Sequence, residues 1–363
     1  MGGAHIVLIG AGAVGSHAGP HLARAPEVER ITIVDFDRYQ ESSLRSQAIT
    51  PDDVGHPKAA ALARRLRRIR AGLKVDALTC RLEHVPLGRL RADAHISCCD
   101  NRPARIAGNE AAYHLAIPAW IDAGVRASES LARATLHFPA LAGAACHVCG
   151  WGRADWAALG ASYSCDGQVS VPATGSPTHL SAMAAAMAVR LCLEFLAGRL
   201  QPQPDLQHSV YSAELHRAWI TTVRRNPACT FDHQRWTPIP AGRRPADLTL
   251  GGVFAEFGEP VGVTGLSFAR RLVCASCGRV RETLALAARI SARDRRCPAC
   301  GGEGVAGALD LVHELDSSAA RSFGAGALER SLAELGLLPG DFLRCGRGFI
   351  ELCGRPVSPE EIP

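Results

Sequence analysis

The stretch HIVLIGAGAVGSHAGPHLARAPEVERITIVD, residues 5–35, decides the fold. His5 to Ile9 is a short apolar strand, and GAGAVG at 10–15 follows it directly. Gly10, Gly12 and Gly15 match GxGxxG, which allows a tight turn and close backbone approach to a phosphate at a helix N-terminus. A helical segment then runs to about Ala25, and ITIVD (31–35) is the next strand. Asp35 ends that strand, twenty residues after Gly15, where an acid can accept from ribose hydroxyls. This β-α-β order makes a nucleotide site; NAD and ATP both fit that much.

Working outward, GHPKAAALARRLRRI (55–69) reads as a helix, AHISCC (94–99) and AIPAWID (116–122) as strands, with a helix from about Pro103 to His114 between them. The alternation predicts an α/β fold with a doubly wound, mostly parallel sheet that binds ligands at the carboxyl ends of its strands. SPTHLSAMAAAMAVRLCLEFLAG (176–198) predicts a buried helix with Ser176 as N-cap, Pro177 in the first turn and Gly198 past its end. TPIPAGRRPAD (237–247) reads as a linker, dividing the chain into domains at 1–240 and 241–363.

Composition narrows the class. At 363 residues and 47% hydrophobic, the chain can bury a sizeable core. No uncharged apolar run approaches a membrane span, and MGGAHIVLIGAG enters a strand without a leader, so a cytoplasmic protein is expected. Six of the fourteen cysteines form three CxxC pairs, which points to thiolate metal sites in a reducing compartment rather than disulfides. The net charge of +5 is mild; Arg270, Arg271, Arg279, Arg281, Arg295 and Arg296 around the later cysteines read as a solvated face, not a nucleic-acid patch. Only Lys58 and Lys74 of the 40 basic side chains are lysines.

DFDRYQESSLRSQ (35–47), then GHPK (55–58), then CCDN (98–101) with Arg105 five residues after Asp100, separate the two nucleotides. Here the chain resembles the ThiF/MoeB/HesA/ubiquitin-activating family of adenylyltransferases, over roughly residues 5–236. The resemblance implies ATP with its ribose on Asp35, phosphate on Lys58 and Mg²⁺ on Asp100, with Asp37, Arg45, Gln47 and Asn101 as further contacts. In-line attack at the α-phosphate needs this cationic charge and carboxylate-held metal. The family's asparagine and arginine–glutamine pair are replaced by Ser43, Ser46 and Gln47, with Arg45 one place early. Family dimers lend an arginine from an N-terminal helix, and no such helix precedes the first strand; a homodimer is nonetheless expected.

The resemblance also implies a structural zinc at CHVC (146–149) and the segment ending at Cys229. The later pair's second cysteine would fall at Asp232, so the expected ligands are Cys146, Cys149, Cys229 and His233, with Asp232 as fallback. Independently, CASC (274–277) and CPAC (297–300) form CxxC-x19-CxxC, a zinc-ribbon pattern of Cys274, Cys277, Cys297 and Cys300. The fold expected beyond residue 240 is thus a small α+β domain built on this ribbon. Cys80, Cys98, Cys99 and Cys192 read as core, and Cys345 and Cys353 as part of a C-terminal hairpin.

Cys165, in SYSCDGQVSVP (162–172), is then the thiol left in a polar loop. It resembles the crossover cysteine that some family members use to take the acyl group as a thioester; a core role is the alternative. The expected activity is ATP-dependent adenylation of the C-terminal glycine of a ubiquitin-like or sulfur-carrier protein, followed by transfer to Cys165. A conjugating enzyme or sulfur-transfer protein would be the next partner. Two other readings stand beside it: an NAD-dependent oxidoreductase, and a non-catalytic zinc-ribbon adaptor with a degenerate ATP fold.

Overall fold

The computed structural model describes residues 3–160, 176–324 and 326–353. They form two compact units: residues 1–82 with 90–235, and residues 83–89 with 236–363.

The first unit is built on an eight-stranded sheet. Its strands are β1 (Ala4–Ile9), β2 (Val28–Val34), β3 (Lys74–Leu78), β4 (Ala94–Ser97), β5 (Ala119–Arg126), β6 (Leu131–His137), β7 (Leu206–Ser212) and β8 (Arg217–Val223), in the order β3-β2-β1-β4-β5-β6-β7-β8. β3 through β5 run parallel, and β5 through β8 pair antiparallel. The architecture is therefore a Rossmann-like α/β fold, with a mixed sheet where a mostly parallel one was expected. The reason is local: Ala127 to Ser130 turn the chain tightly enough for β6 to return beside β5, and antiparallel neighbours need no crossover helix.

The helices are α1 (Gly15–Arg24), α2 (Lys58–Ile69), α3 (Arg102–His114), α4 (Arg153–Gly160) and α5 (Thr178–Leu196). Alternate residues of the strands, such as Ile6 and Leu8, Ile31 and Ile33, and Ile121 and Ala123, join α1, α2 and α5 in one apolar core. On the other face, Ala112 of α3 packs with Ile117 and Trp120. α5 is long and apolar enough to cross a membrane by length and composition, but Leu180, Ala184, Ala188 and Cys192 are buried in the sheet's core. Its N-cap is Pro177 rather than the expected Ser176, whose hydroxyl lies 3.0 Å from that of Ser181. Gly198 adopts the positive φ of +70° that a helix end of this kind requires.

The second unit has its own core. β9 (Ile239–Pro240), β10 (Val261–Val263), β15 (Glu314–Leu315), β16 (Phe342–Cys345) and β17 (Gly348–Glu351) make one sheet, ordered β15-β10-β16-β17-β9; β11 (Phe268–Cys274), β12 (Val280–Leu286), β13 (Gly304–Val305) and β14 (Leu311–Val312) make the other. Helix α6 (Leu250–Phe257) buries Leu250, Val253 and Phe257 in the core they share. The stretch read as a linker is structured: β9 pairs in parallel with β17, and Pro245 is buried. Residues 83–89 join this unit through backbone bonds such as Gly88 N–H to Gly340 O (2.9 Å). Inside it, Arg289 and Asp341 form a buried two-bond ion pair, each 2% exposed, and Arg289 also donates to the His84 carbonyl.

Candidate active site

The three glycines of GAGAVG have separate reasons. Gly10 sits at φ +90°, and a Cβ there would lie 2.9 Å from the Cys98 carbonyl oxygen of the neighbouring strand. A Cβ on Gly15 would fall 1.9 Å from the Gly10 carbonyl oxygen, so its absence lets α1 start against the strand. A Cβ on Gly12 would meet nothing within 4 Å. Gly10 and Gly15 shape the turn, and Gly12 faces open space at the beginning of α1, where helix amides favour an anion.

Asp35 fastens the end of β2 to this turn. Its Oδ2 accepts from Ala11 N–H (2.7 Å) and its Oδ1 from Asp37 N–H (2.8 Å). Burial raises its carboxyl above the usual range, while the Lys58 charge and these amides pull the other way. Lys58, the first residue of α2, donates from Nζ to Asp37 Oδ2 at 2.9 Å, and its own amide bonds the Asp37 carbonyl. Asp35, Asp37 and Lys58 are thus brought together beside the glycine turn. Tyr39, which the sequence reading passed over, is buried and donates its hydroxyl to the Ala11 carbonyl (2.8 Å).

Arg45 and Gln47 lie on the segment that follows. Ser43 is buried and accepts from Gln40 N–H (3.1 Å), so the serine that replaces the expected asparagine caps this turn. Ser16 on α1 accepts from Ala48 N–H (3.0 Å), and Arg65 on α2 donates to the Ala48 carbonyl, which hold the segment to both helices. Arg45 is exposed and, among the described residues, forms no ion pair. The side-chain oxygen of Gln47 is buried without a hydrogen-bond partner among them.

Asp100 follows β4 and is exposed. Asn101, not Asp100, caps α3: its Oδ1 accepts from Ala104 N–H (2.9 Å), while its Nδ2 donates to Asp100 Oδ1 (3.0 Å). The second Asp100 oxygen remains a hard donor of the type Mg²⁺ takes. Arg105 is instead buried. It pairs with the fully buried Asp122 and donates to the Cys99 carbonyl (2.6 Å). Burial pushes the Asp122 carboxyl up, but the Arg105 guanidinium holds it below the usual range. Cys98 is buried, and burial raises both thiols, Cys99 to about 12, which disfavours the thiolate at either. Cys165 lies outside the described residues.

Cys146, Cys149, Cys229 and His233 offer ligand atoms all within 4.8 Å of one another. Cys146 Sγ is 3.7 Å from both Cys149 Sγ and Cys229 Sγ, and Cys149 Sγ is 3.2 Å from His233 Nε2. Tetrahedral zinc with ~2.3 Å Zn–S bonds sets sulfurs about 3.8 Å apart, so the spacing fits that ion. His233 Nδ1 donates to the Phe231 carbonyl (2.8 Å), which turns the Nε2 lone pair toward the thiols. Asp232 points elsewhere; its Oδ1 accepts from Gln234 N–H and lies 3.9 Å from His114.

In the second unit, Cys274, Cys277, Cys297 and Cys300 form the other such group, with Sγ distances of 3.5 Å (Cys274 to Cys300) and 3.7 Å (Cys277 to Cys297). Backbone N–H groups of Cys277 and Ser276 lower the Cys274 thiol to about 6, which favours the thiolate a metal needs.

A family model described as the ThiF family matches residues 2–231. The sulfur carrier protein adenylyltransferase of Thermus thermophilus is 31% identical over 234 residues, covering 62% of this chain and 81% of that protein. The sulfur carrier protein ThiS adenylyltransferase of Bacillus subtilis is 39% identical over 120 residues, covering 32% of this chain and 35% of its own length. Among solved structures, E. coli MccB with ATP superposes with a TM-score of 0.50 at 19% identity, covering 62% of this chain and 65% of that one; it shares the fold. With a match that runs from the first strand through Cys229, this chain belongs to the ThiF family.

Proposed function

We propose that the chain is an ATP- and Mg²⁺-dependent enzyme that adenylates the C-terminal glycine carboxylate of a ubiquitin-like or sulfur-carrier protein. The observation that carries this reading is the cradle at the carboxyl ends of β1, β2 and β4: the open Gly12 backbone, Asp35 bridging Ala11 and Asp37, and Lys58 held beside them. Family membership and relatives that are adenylyltransferases support it.

In this reading, the turn at Gly10, Gly12 and Gly15 receives the phosphates, Asp35 the ribose, and Lys58 leaves Asp37 to meet phosphate charge. Arg45 and Gln47 reach toward the nucleotide from their segment, and Asn101 orients Asp100, whose free oxygen would hold Mg²⁺. The metal supplies positive charge that offsets the phosphates. A carboxylate oxygen of the carrier attacks the α-phosphorus; the P–O bond to pyrophosphate breaks, leaving an acyl adenylate. In the second step the Cys165 thiolate attacks the acyl carbon and AMP leaves, giving a thioester for a conjugating or sulfur-transfer partner.

The same reading includes zinc in both cysteine groups, a homodimer and a cytoplasmic location. The oxidoreductase reading rests on GAGAVG and Asp35 alone, and nothing in the fold favours the adaptor reading. Carrier-dependent ATP–pyrophosphate exchange tests the first step: Asp100→Ala should abolish it, and intact exchange in that variant rejects the site. A reductant-sensitive carrier adduct that survives Cys165→Ala rejects the second step.

A further inference from the structure

The face of β5, β6 and β7 that carries Trp120, Asp122 and Gly124 holds a group of charged and polar side chains that the nucleotide cradle leaves unused. Gly124 pairs with Arg133, and Asp122 with Thr135, so Arg133 projects from the same face as Asp122. A Cβ on Gly124 would lie 2.6 Å from Arg105 Nη2 and 3.4 Å from Arg133 Nε. Two guanidinium groups therefore converge over one glycine.

Their charges are not matched. Asp122 pairs through Oδ2 with Arg105, and its single charge also attracts Arg133, so two guanidinium groups share one carboxylate. Arg133 is partly buried and, among the described residues, has no ion pair or hydrogen bond. Among the described residues, the other titratable neighbours add no unpaired negative charge. Burial lowers His137 to about 3 and lowers His208, so both imidazoles are neutral at pH 7. Arg102 and Arg126 hold their own carboxylates, Asp155 and Glu129. Burial, then the Arg105 charge, lowers Arg133 itself to about 10. Among the described residues one positive charge remains in excess, suited to one carboxylate.

Position decides which carboxylate. Ser97 of β4 pairs with Asp122, which continues to set Cys99 level with Gly124 and hence with Arg133, at the Asp100 end of the sheet. β6 lies three strands from β1, about 14 Å at ~4.8 Å per strand, too far for a phosphate at Gly12. It lies two strands from β4, about 10 Å, which is roughly three residues of extended chain.

We propose that Arg133 is a specificity-determining residue that binds an acidic side chain about three residues before the carboxyl terminus of the polypeptide being adenylated. This rests on the adenylation reading for the direction of the bound chain. The pairing is a charge-assisted hydrogen bond made where water is scarce.

The probes are N-terminally fluorescein-labelled octapeptides ending in glycine, with Glu or Gln at each of the second to fifth positions from the end. Anisotropy titrations with the full chain should show at least tenfold tighter binding of Glu than Gln at one position. Arg133→Gln should erase that contrast, Arg133→Lys should keep most of it, and ATP affinity should not change in either. The melting temperature of Arg133→Gln should hold or rise, because burial and the Arg105 charge both act against this guanidinium, which makes no ion pair or hydrogen bond among the described residues; a purely structural arginine would lower it. Absence of binding, absence of a Glu preference in the unmodified chain, or a preference that survives Arg133→Gln overturns the proposal. If bound peptides support no pyrophosphate exchange while the contrast holds, adenylation falls and the acid-binding role of Arg133 stands.

Discussion

The two halves of the eight-stranded sheet solve different problems with the same backbone. In the parallel half, β1, β2 and β4 bury mainly aliphatic side chains such as Ile6, Leu8, Ile31, Ile33 and Ile96, with Thr32, His95 and Ser97 as their buried polar residues, and the candidate site residues lie just past their carboxyl ends. In the antiparallel half, one face of β5 and β6 is apolar toward α5, while the other buries Asp122, Thr135 and His137. The difference follows from how the halves are covered. Helices on both faces of a parallel sheet favour mostly apolar strands. A hairpin return brings a polar face under α3, where each charge must find a partner or a ligand.

The strongest way to break the comparison is Asp122→Asn. It leaves the Arg105 guanidinium buried without its counter-charge, and urea unfolding should show a loss of about 3–5 kcal/mol. The sign with pH is fixed. A carboxyl held below its unfolded value stabilises the fold above that value, and the contribution disappears as pH falls through the folded value. The gap between variant and parent should therefore close in strong acid; a gap constant to the acid limit would reject the pair as its cause.

Buried histidines give the next effect, one in each half. Burial holds His95 of β4 to about 4 and His137 of β6 to about 3. The unfolded chain takes up protons near pH 6.5 that these imidazoles refuse when folded, so stability falls as pH drops below that point. From pH 7 to pH 5 the two together should cost about 4 kcal/mol, at ~1.4 kcal/mol per pH unit each. His114 and His147, each held to about 4, add to the same slope, so His137→Gln should remove about 2 kcal/mol of the total between pH 7 and pH 5, and an unchanged slope would exclude His137 as a source.

Within the parallel half, Gly15→Ala should cost about 1–3 kcal/mol because its methyl group collides with the Gly10 carbonyl, a backbone atom with little freedom to move. Gly12→Ala, facing open space, should leave thermal stability nearly unchanged and weaken ATP in a calorimetric titration. Equal losses of stability would contradict the division of labour within the turn. The smallest effect belongs to Asn101→Ala, where loss of the cap on α3 should cost about 1 kcal/mol, read by chemical denaturation.

Legibility followed the same division. The glycine turn, Asp35 and the CxxC pairs are local patterns: backbone geometry or ligand spacing compels particular residues at fixed offsets. Ser43 and Asn101 were visible too, but as departures or site residues rather than as the turn and helix caps they form. Tyr39, Ser16 and Arg65 left no signal, because a hydroxyl or guanidinium that ties a loop to a helix looks like any surface residue until the loop closes. The stretch at 237–247 misled for a related reason. Proline and charge mark a break in helix or strand interiors, yet a two-residue edge strand tolerates both.

The sequence by itself determined the β-α-β opening, its glycine turn and the CxxC-x19-CxxC pattern of the second cysteine group, since each is written in residues at short fixed offsets. Only the tertiary structure decided that β5 to β8 turn antiparallel, that Arg105 pairs with Asp122, that His233 rather than Asp232 faces the three thiols, and that Arg133 makes no ion pair or hydrogen bond among the described residues. Those outcomes depend on which strands become neighbours and which charges are removed from water together, and pairing across a sheet carries no fixed offset along the chain.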